Sequence, residues 1–362
     1  MSDDKVFRGE EQVIQALRSL YYSYGYRSYK MRRFEEYDFY AGNKDFLTSA
    51  DIITFTDTNG KLMALKPDVT LSIVRSTKDV RGGISRICYD ENVYRVSDKS
   101  GTFREIMQAG LECIGDVSVT ELAEVSLLAQ KSLSLISPDS VLAVAHLGIV
   151  EGFLKEIPAS LRGAAVAALS ARNVSELERA ARENRQCAAA FMKLARLCIL
   201  EGDTEETYAL LEQMGADSSC LSELQAIVSA LDPGSVRLDF SILDGMKYYN
   251  GITFRGYVQG IPVPVVSGGQ YDKLMQRMGR SSKAIGFAVY LDSLERLFAS
   301  ETAQDADIVL LYSETDSPKD VMGKADELRA GGASVVTLRS VPRNLRYSKL
   351  VRMDAEGGTD NA

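Results

Sequence analysis

RICYDENVYRVSDKSGTFREIMQAGLECIG, Arg86–Gly115, is the stretch whose reading decides the fold. Two runs with strand character flank a polar break, Ser97–Gly101, which predicts a long hairpin. On a strand, residues four apart share a face, so Gln108 and Glu112 point the same way. That pair either braces a hairpin core or lines a pocket for a polar ligand.

Upstream, DIITFTDTNGKLMALKPD (51–68) predicts a second hairpin, with Asn59-Gly60 supplying the positive φ of a tight turn. EEQVIQALRSLYYSYG (10–25) spaces Val13, Ile14, Leu17, Leu20 and Tyr21 for a helix that stops at Gly25. Downstream, TELAEVSLLAQKSLSLI (120–136) predicts an amphipathic helix capped by Thr120. Residues 152–232, rich in Ala, Leu and Glu, predict a helical insertion. Strand character returns at 235. SILDGMKYYNGITFRGYV (241–258) predicts two strands joined by a turn, with Tyr248 and Tyr249 beside Asp244. KAIGFAVYLDSLERLFAS (283–300) predicts a strand running into a helix. From 303 to 350 a small βαβ unit is expected, and 351–362 are expected to be a disordered tail. The fold class is α+β.

Composition narrows function. Hydrophobic residues make up 45% of the 362, enough for a core. A net charge of −8 disfavours an extended phosphate-binding face. Five cysteines without a CxxC pair suit reduced thiols in a cytoplasmic protein. The sole histidine, His146, ends an apolar run; it excludes a multi-histidine metal site and is expected to be structural. No signal core and no run of about 20 apolar residues is present, so no membrane association is expected. Gly82-Gly83 and Gly268-Gly269 lack the spacing of phosphate loops, and neither metal nor cofactor is expected. Arg32-Arg33 is read as a solvated or interface charge pair, and Glu121 and Glu124 as solvated.

Four segments in order resemble the histidyl-tRNA synthetase family, of the class II aminoacyl-tRNA synthetase fold. They are LKPDVT (65–70), YRVSDKSGTFREIMQAGLE (94–112), ILDGMKYYNG (242–251), and SGGQYDKL (267–274) followed by GFAVYLDSLERL (286–297). The likeness runs over roughly residues 8–300. It implies an antiparallel sheet flanked by helices, dimerisation through the synthetase-like core, and a short C-terminal α/β remnant of an anticodon-binding domain. Arg32 stands where the family's first motif has Pro.

The same resemblance separates two groups of residues. Adenylate formation gathers negative charge on a phosphate and relies on arginines and Mg²⁺. The family's arginines fall at Asp244, Thr102, Gln270 and Ser293 here, and the acid after its first motif-two arginine falls at Ser97. Arg95 alone keeps its place; Lys247 points to the other face of its expected strand, and Arg296, three residues beyond Ser293 on the expected helix, is the substitute that could come near. Arg to Asp at 244 is a two-charge change, worth up to about 8 kcal/mol at an effective dielectric near 20. The amino-acid residues are retained: Asp68, Thr70, Arg95, Gln108, Glu112, Tyr248, Tyr249 and Tyr271 are the expected histidine-binding set.

A synthetase-like chain without activation chemistry resembles the regulatory subunits of ATP phosphoribosyltransferase. This implies a non-catalytic chain in a hetero-oligomer with the short-form catalytic subunit, required for the first step of histidine biosynthesis and conveying feedback by L-histidine. Binding of tRNA is not expected. The alternative is a divergent synthetase-like enzyme that still activates an amino acid.

Overall fold

The structure, a computed structural model, describes residues 9–43, 47, 52–78, 82–97, 101–200, 202, 205–243, 245–246, 248–294, 304–353 and 360–361. Two compact units divide the chain: Arg8–Glu295, and Arg296–Ala362 with Met1–Phe7.

In the larger unit, α1 (Gly9–Ser23) leads to β1 (Arg27–Ser28). Leu17 and Tyr21 are its buried stripe. Gly25, at φ +81°, ends it in a Schellman motif: Tyr26 N–H donates to Tyr21 C=O and Gly25 N–H to Tyr22 C=O. Then come β2 (Phe34–Glu36), α2 (Tyr37–Ala41), β3 (Thr54–Thr56), β4 (Leu62–Leu65) and α3 (Val69–Ser76). β2, β4 and β3 form a small antiparallel sheet. The β3–β4 turn is longer than the expected two-residue one. Asp57 N–H donates to Lys61 C=O, its carboxylate accepts from the N–H groups of Asn59 and Lys61, and only Gly60 takes positive φ. The Asp57 side chain does part of what a second positive-φ residue would have done.

β5 (Ile84–Val96) and β6 (Phe103–Gly115) are the predicted long hairpin, paired from Ile84–Gly115 to Val96–Phe103. α4 (Val119–Ile136) is capped by Ser118, two residues before the expected Thr120. Ser118 and Glu121 form a reciprocal capping box, so Glu121 is engaged rather than merely solvated. Glu124 likewise accepts from Arg86 and Tyr26. β7 (Ser140–His146) follows. The chain is then helical through α5 (Leu147–Lys155), α6 (Ala159–Ser170), α7 (Val174–Glu183), α8 (Ala188–Cys198), α9 (Glu205–Gln213) and α10 (Ser218–Val228). His146 is buried, with Nε2 3.1 Å from Glu223 Oε1 on α10. β8 (Val236–Leu238), β9 (Ile252–Val258), β10 (Val266–Gln270), α11 (Asp272–Arg277) and β11 (Lys283–Tyr290) complete the unit.

Eight strands make the main sheet, in the order β1-β5-β6-β11-β10-β9-β7-β8. All neighbours are antiparallel except the two edge pairs, β1–β5 and β7–β8. The described residues of 241–251 do not form the predicted strand before β9. They include turns instead, as when the Tyr248 and Tyr249 N–H groups both donate to Gly245 C=O. Where a helix is expected from about 291, Leu291–Leu294 form a 3-10 turn; residues 295–300, Arg296 among them, lie outside the described residues.

The smaller unit contains β12 (Ala306–Leu311), α12 (Pro318–Arg329), β13 (Val335–Leu338), β14 (Tyr347–Arg352) and β15 (Asp360–Asn361), with sheet order β13-β12-β14-β15. This exceeds the single βαβ pass expected and shortens the predicted tail. β14 pairs along β12, and Val351 and Met353 pack on the Leu310–Val321–Ala325 core. Burying those side chains fixes residues that composition assigns to the tail. Residues 354–359 and 362 lie outside the described residues.

Candidate functional site

One side of the main sheet floors a cavity of about 820 Å³. Strand register explains its make-up. One transverse row runs Thr253, Gly269, Gly286, Glu112 across β9, β10, β11 and β6. The next runs Arg255, Ser267, Ala288, Gly110, and the third pairs Tyr290 with Gln108. Small residues in the middle keep the floor low. A Cβ on Gly286 would lie 1.8 Å from Glu112 Oε2 and 2.6 Å from Leu111 C=O, so glycine makes room for the carboxylate.

Glu112 is 1% exposed. Thr70 Oγ1 donates to its Oε1 at 2.6 Å, and Tyr271 Oη to its Oε2 at 2.6 Å. Burial raises its pKa to about 8, against the pull of those two hydrogen bonds and with a further push from Asp68. Asp68 is the N-cap of α3, accepting from Leu71 N–H at 2.9 Å. Capping favours a short acid, which gives Asp68 a reason to stand where the synthetase pattern has Glu. Burial raises its pKa too, opposed by Leu71 N–H and the Arg95 charge. Nearby, Lys66 is fully buried and paired with Glu91 at 2.8 Å, and Arg95 Nε donates to Pro67 C=O at 3.0 Å. These contacts tie the start of α3 to β5.

Tyr248 and Tyr249 both line the cavity because they occupy a turn; a strand would have sent them to opposite faces. Glycine permits it, since a Cβ on Gly245 would meet the Tyr249 ring at 2.3 Å. The Tyr248 ring lies edge-on to Tyr249, centroids 4.8 Å apart, and 5.6 Å from Tyr271. Burial raises the pKa of all three phenols, so they stay protonated donors at neutral pH.

All eight residues of the expected histidine-binding set border this one cavity: Asp68, Thr70, Arg95, Gln108, Glu112, Tyr248, Tyr249 and Tyr271. Gln108 Nε2 is buried without a hydrogen-bond partner. The positions read as lost divide. Ser293 borders the cavity. Ser97 and Thr102 close the β5–β6 loop through Ser97 N–H to Thr102 C=O. Gln270 is buried and donates to Asp272 Oδ2 at 2.6 Å, stitching the end of β10 to the following helix. Asp244 and Lys247 lie outside the described residues. Sequence reasoning missed Arg255, Tyr89, Ser267 and Tyr290, which also border the cavity. Alternation along β9, counted from Thr253, is the signal that finds Arg255. Among the described residues no cluster of His, Cys, Asp and Glu could hold a metal ion, and no helix is long and apolar enough to cross a membrane. The five cysteines are free thiols.

An antiparallel sheet of this order, with an acid-walled cavity on one face and helices around it, is the class II aminoacyl-tRNA synthetase-like fold. The family profile described as histidyl-tRNA synthetase matches residues 3–294. The ATP phosphoribosyltransferase regulatory subunit of Anaeromyxobacter dehalogenans is 31% identical over 303 residues, covering 79% of this chain and 87% of that one. The chain therefore belongs to the histidyl-tRNA synthetase-like family of ATP phosphoribosyltransferase regulatory subunits. Solved structures share the fold. An ATP phosphoribosyltransferase regulatory subunit/histidyl-tRNA synthetase from Bacillus halodurans superposes with a TM-score of 0.77 at 22% identity, covering 95% of this chain and 93% of that one. A chain of the ATP phosphoribosyl transferase (HisG:HisZ) complex from Thermotoga maritima gives 0.63 at 19%, covering 78% and 97%.

Proposed function

We propose that this chain works in the cytoplasm as the non-catalytic partner of a short-form ATP phosphoribosyltransferase catalytic subunit, and that L-histidine occupies the cavity and modulates the complex. The observation that carries this reading is Glu112, a buried acid held by Thr70 and Tyr271 in a cavity that also presents Asp68 and Arg95. Such a set suits a zwitterion with an imidazole: acids for the ammonium and ring N–H, phenols for the ring nitrogens, a guanidinium for the carboxylate. The nucleotide-gripping arginines of the synthetase pattern are replaced at Thr102, Gln270 and Ser293, which leaves activation chemistry without its charge stabilisation. Feedback of this kind is a coupling free energy, typically about 1–3 kcal/mol, and requires histidine to prefer one state of the assembly.

Two measurements test the reading. Calorimetric titration should detect histidine binding to the isolated chain, lost in Glu112→Ala. Mixing with the short catalytic subunit should raise its phosphoribosyl transfer, and histidine should lower it. Histidine-dependent ATP–pyrophosphate exchange by the chain alone would instead make it an amino-acid-activating enzyme. We also propose that the chain pairs with a second copy through the small sheet. There Phe34 and Phe55, 48% and 38% exposed, stack edge-to-face at 5.5 Å.

A further inference from the structure

We infer that Arg255 is the residue that grips the ligand's carboxylate and so sets the cavity's specificity for an α-amino acid over the corresponding amine. The inference rests on the proposed histidine site and gives the carboxylate to an arginine outside the expected set, in place of Arg95.

Register carries the argument. Arg255 stands on β9 and Glu112 on β6, with β10 and β11 between them. Three interstrand spacings of about 4.8 Å put the two backbones roughly 14 Å apart, and the rows they occupy are adjacent, about 7 Å along the strands. Everything between is small: Gly269 and Gly286 in one row, Ser267 and Ala288 in the other. Both side chains border the same cavity, so the Glu112 carboxyl and the Arg255 guanidinium stand on two sides of one space.

The trough is thus dipolar across the strands. Its acidic wall is Glu112, with Asp68 at the start of α3; its basic wall is Arg255. Arg95 is less well placed as the main anchor. Its Nε is committed to Pro67 C=O, and it lies on β5, beyond β6 from the trough. Tyr290, in the third row, feels the positive charge of both arginines. An amino acid laid across the strands puts its cationic and ring N–H groups on the acidic wall. Its carboxylate then accepts two parallel hydrogen bonds from the guanidinium fork. Position 244, where the synthetase pattern has an arginine, is an acid here.

The test compares histidine with histamine, which keeps the imidazole and the amine but has no carboxylate, by calorimetric titration of the full chain. Wild type should prefer histidine at least tenfold. In Arg255→Gln, histidine affinity should fall tenfold or more while histamine affinity stays the same, erasing the preference; Arg255→Lys should keep part of it. Melting curves show whether each variant is folded, and the lysine variant stands in should the glutamine variant fail to fold. The inference is overturned if Arg255→Gln binds histidine like wild type, or if it weakens both probes equally. Those outcomes leave the histidine site intact. Absence of histidine binding to wild type would remove the site and this inference together.

Discussion

Glu112 is a residue whose function works against the stability of the empty protein. Its carboxyl has a pKa of about 8 in the fold against 4.5 outside it. Between those values the native state keeps a proton that the unfolded chain has released, so stability falls as pH rises through that window. At about 1.4 kcal/mol per pKa unit the full loss is on the order of 5 kcal/mol. Glu112→Gln cannot ionise, so it should be close to wild type in melting temperature at pH 4.5 and clearly more stable at pH 8.5. The same variant should bind histidine at least tenfold more weakly. Parallel wild-type and mutant melting curves across pH would refute the assignment of this burial to Glu112. At this scale much of the site is legible in the sequence, because synthetase-like motifs carry residue identities. Arg255 is less so, because it sits outside every motif and alternation finds it only once Thr253 is known to face the cavity.

At the scale of elements, the site depends on backbones that come close because glycines allow it. β6 and β11 hold Glu112 opposite Gly286. Gly286→Ala would put a methyl 1.8 Å from the carboxylate and 2.6 Å from a backbone carbonyl, and the carbonyl cannot swing aside. Overpacking of this type costs about 1–3 kcal/mol. The variant should show a lowered melting temperature and lose histidine binding, whereas Gly323→Ala, in the interior of α12 with nothing within 4 Å of its Cβ, should lower neither. The β5–β6 hairpin is readable because 13 paired residues bracket one polar break. The 241–251 segment is not, because its aromatic pair mimics a strand while its hydrogen bonds close on Gly245. The α4 cap is missed by two residues because the pairing of Ser118 with Glu121 outweighs a single hydroxyl at Thr120. β14 is missed because its short run has few apolar residues, and its place beside β12 comes from pairing rather than from its own periodicity.

On the scale of the whole molecule, the small β2-β4-β3 sheet leaves apolar side chains exposed. Alternation splits its residues. Ala64, on one face, is buried in the core; Phe34 and Leu65, with Glu36, Met63 and Phe55, share the other. Two half-exposed phenylalanines and two partly buried aliphatic side chains on a three-stranded sheet are more apolar surface than a free face of that size needs. A second copy would cover it isologously, each patch meeting its own image. Phe34→Ser with Phe55→Ser leaves Ala64 and the core face untouched. The double variant should therefore melt close to wild type yet run as a monomer in light scattering at micromolar concentration, where wild type should run as a dimer. Histidine titration separates the roles further. The cavity is lined from the main sheet, α3 and the 245–249 turn of one chain, so the monomeric variant should bind histidine within about twofold of wild type. Its effect on the catalytic subunit should weaken, because feedback requires an assembly with two states for histidine to choose between. A dimer unchanged by both serines would place the contact elsewhere on the chain and leave the phenylalanine face for a different partner.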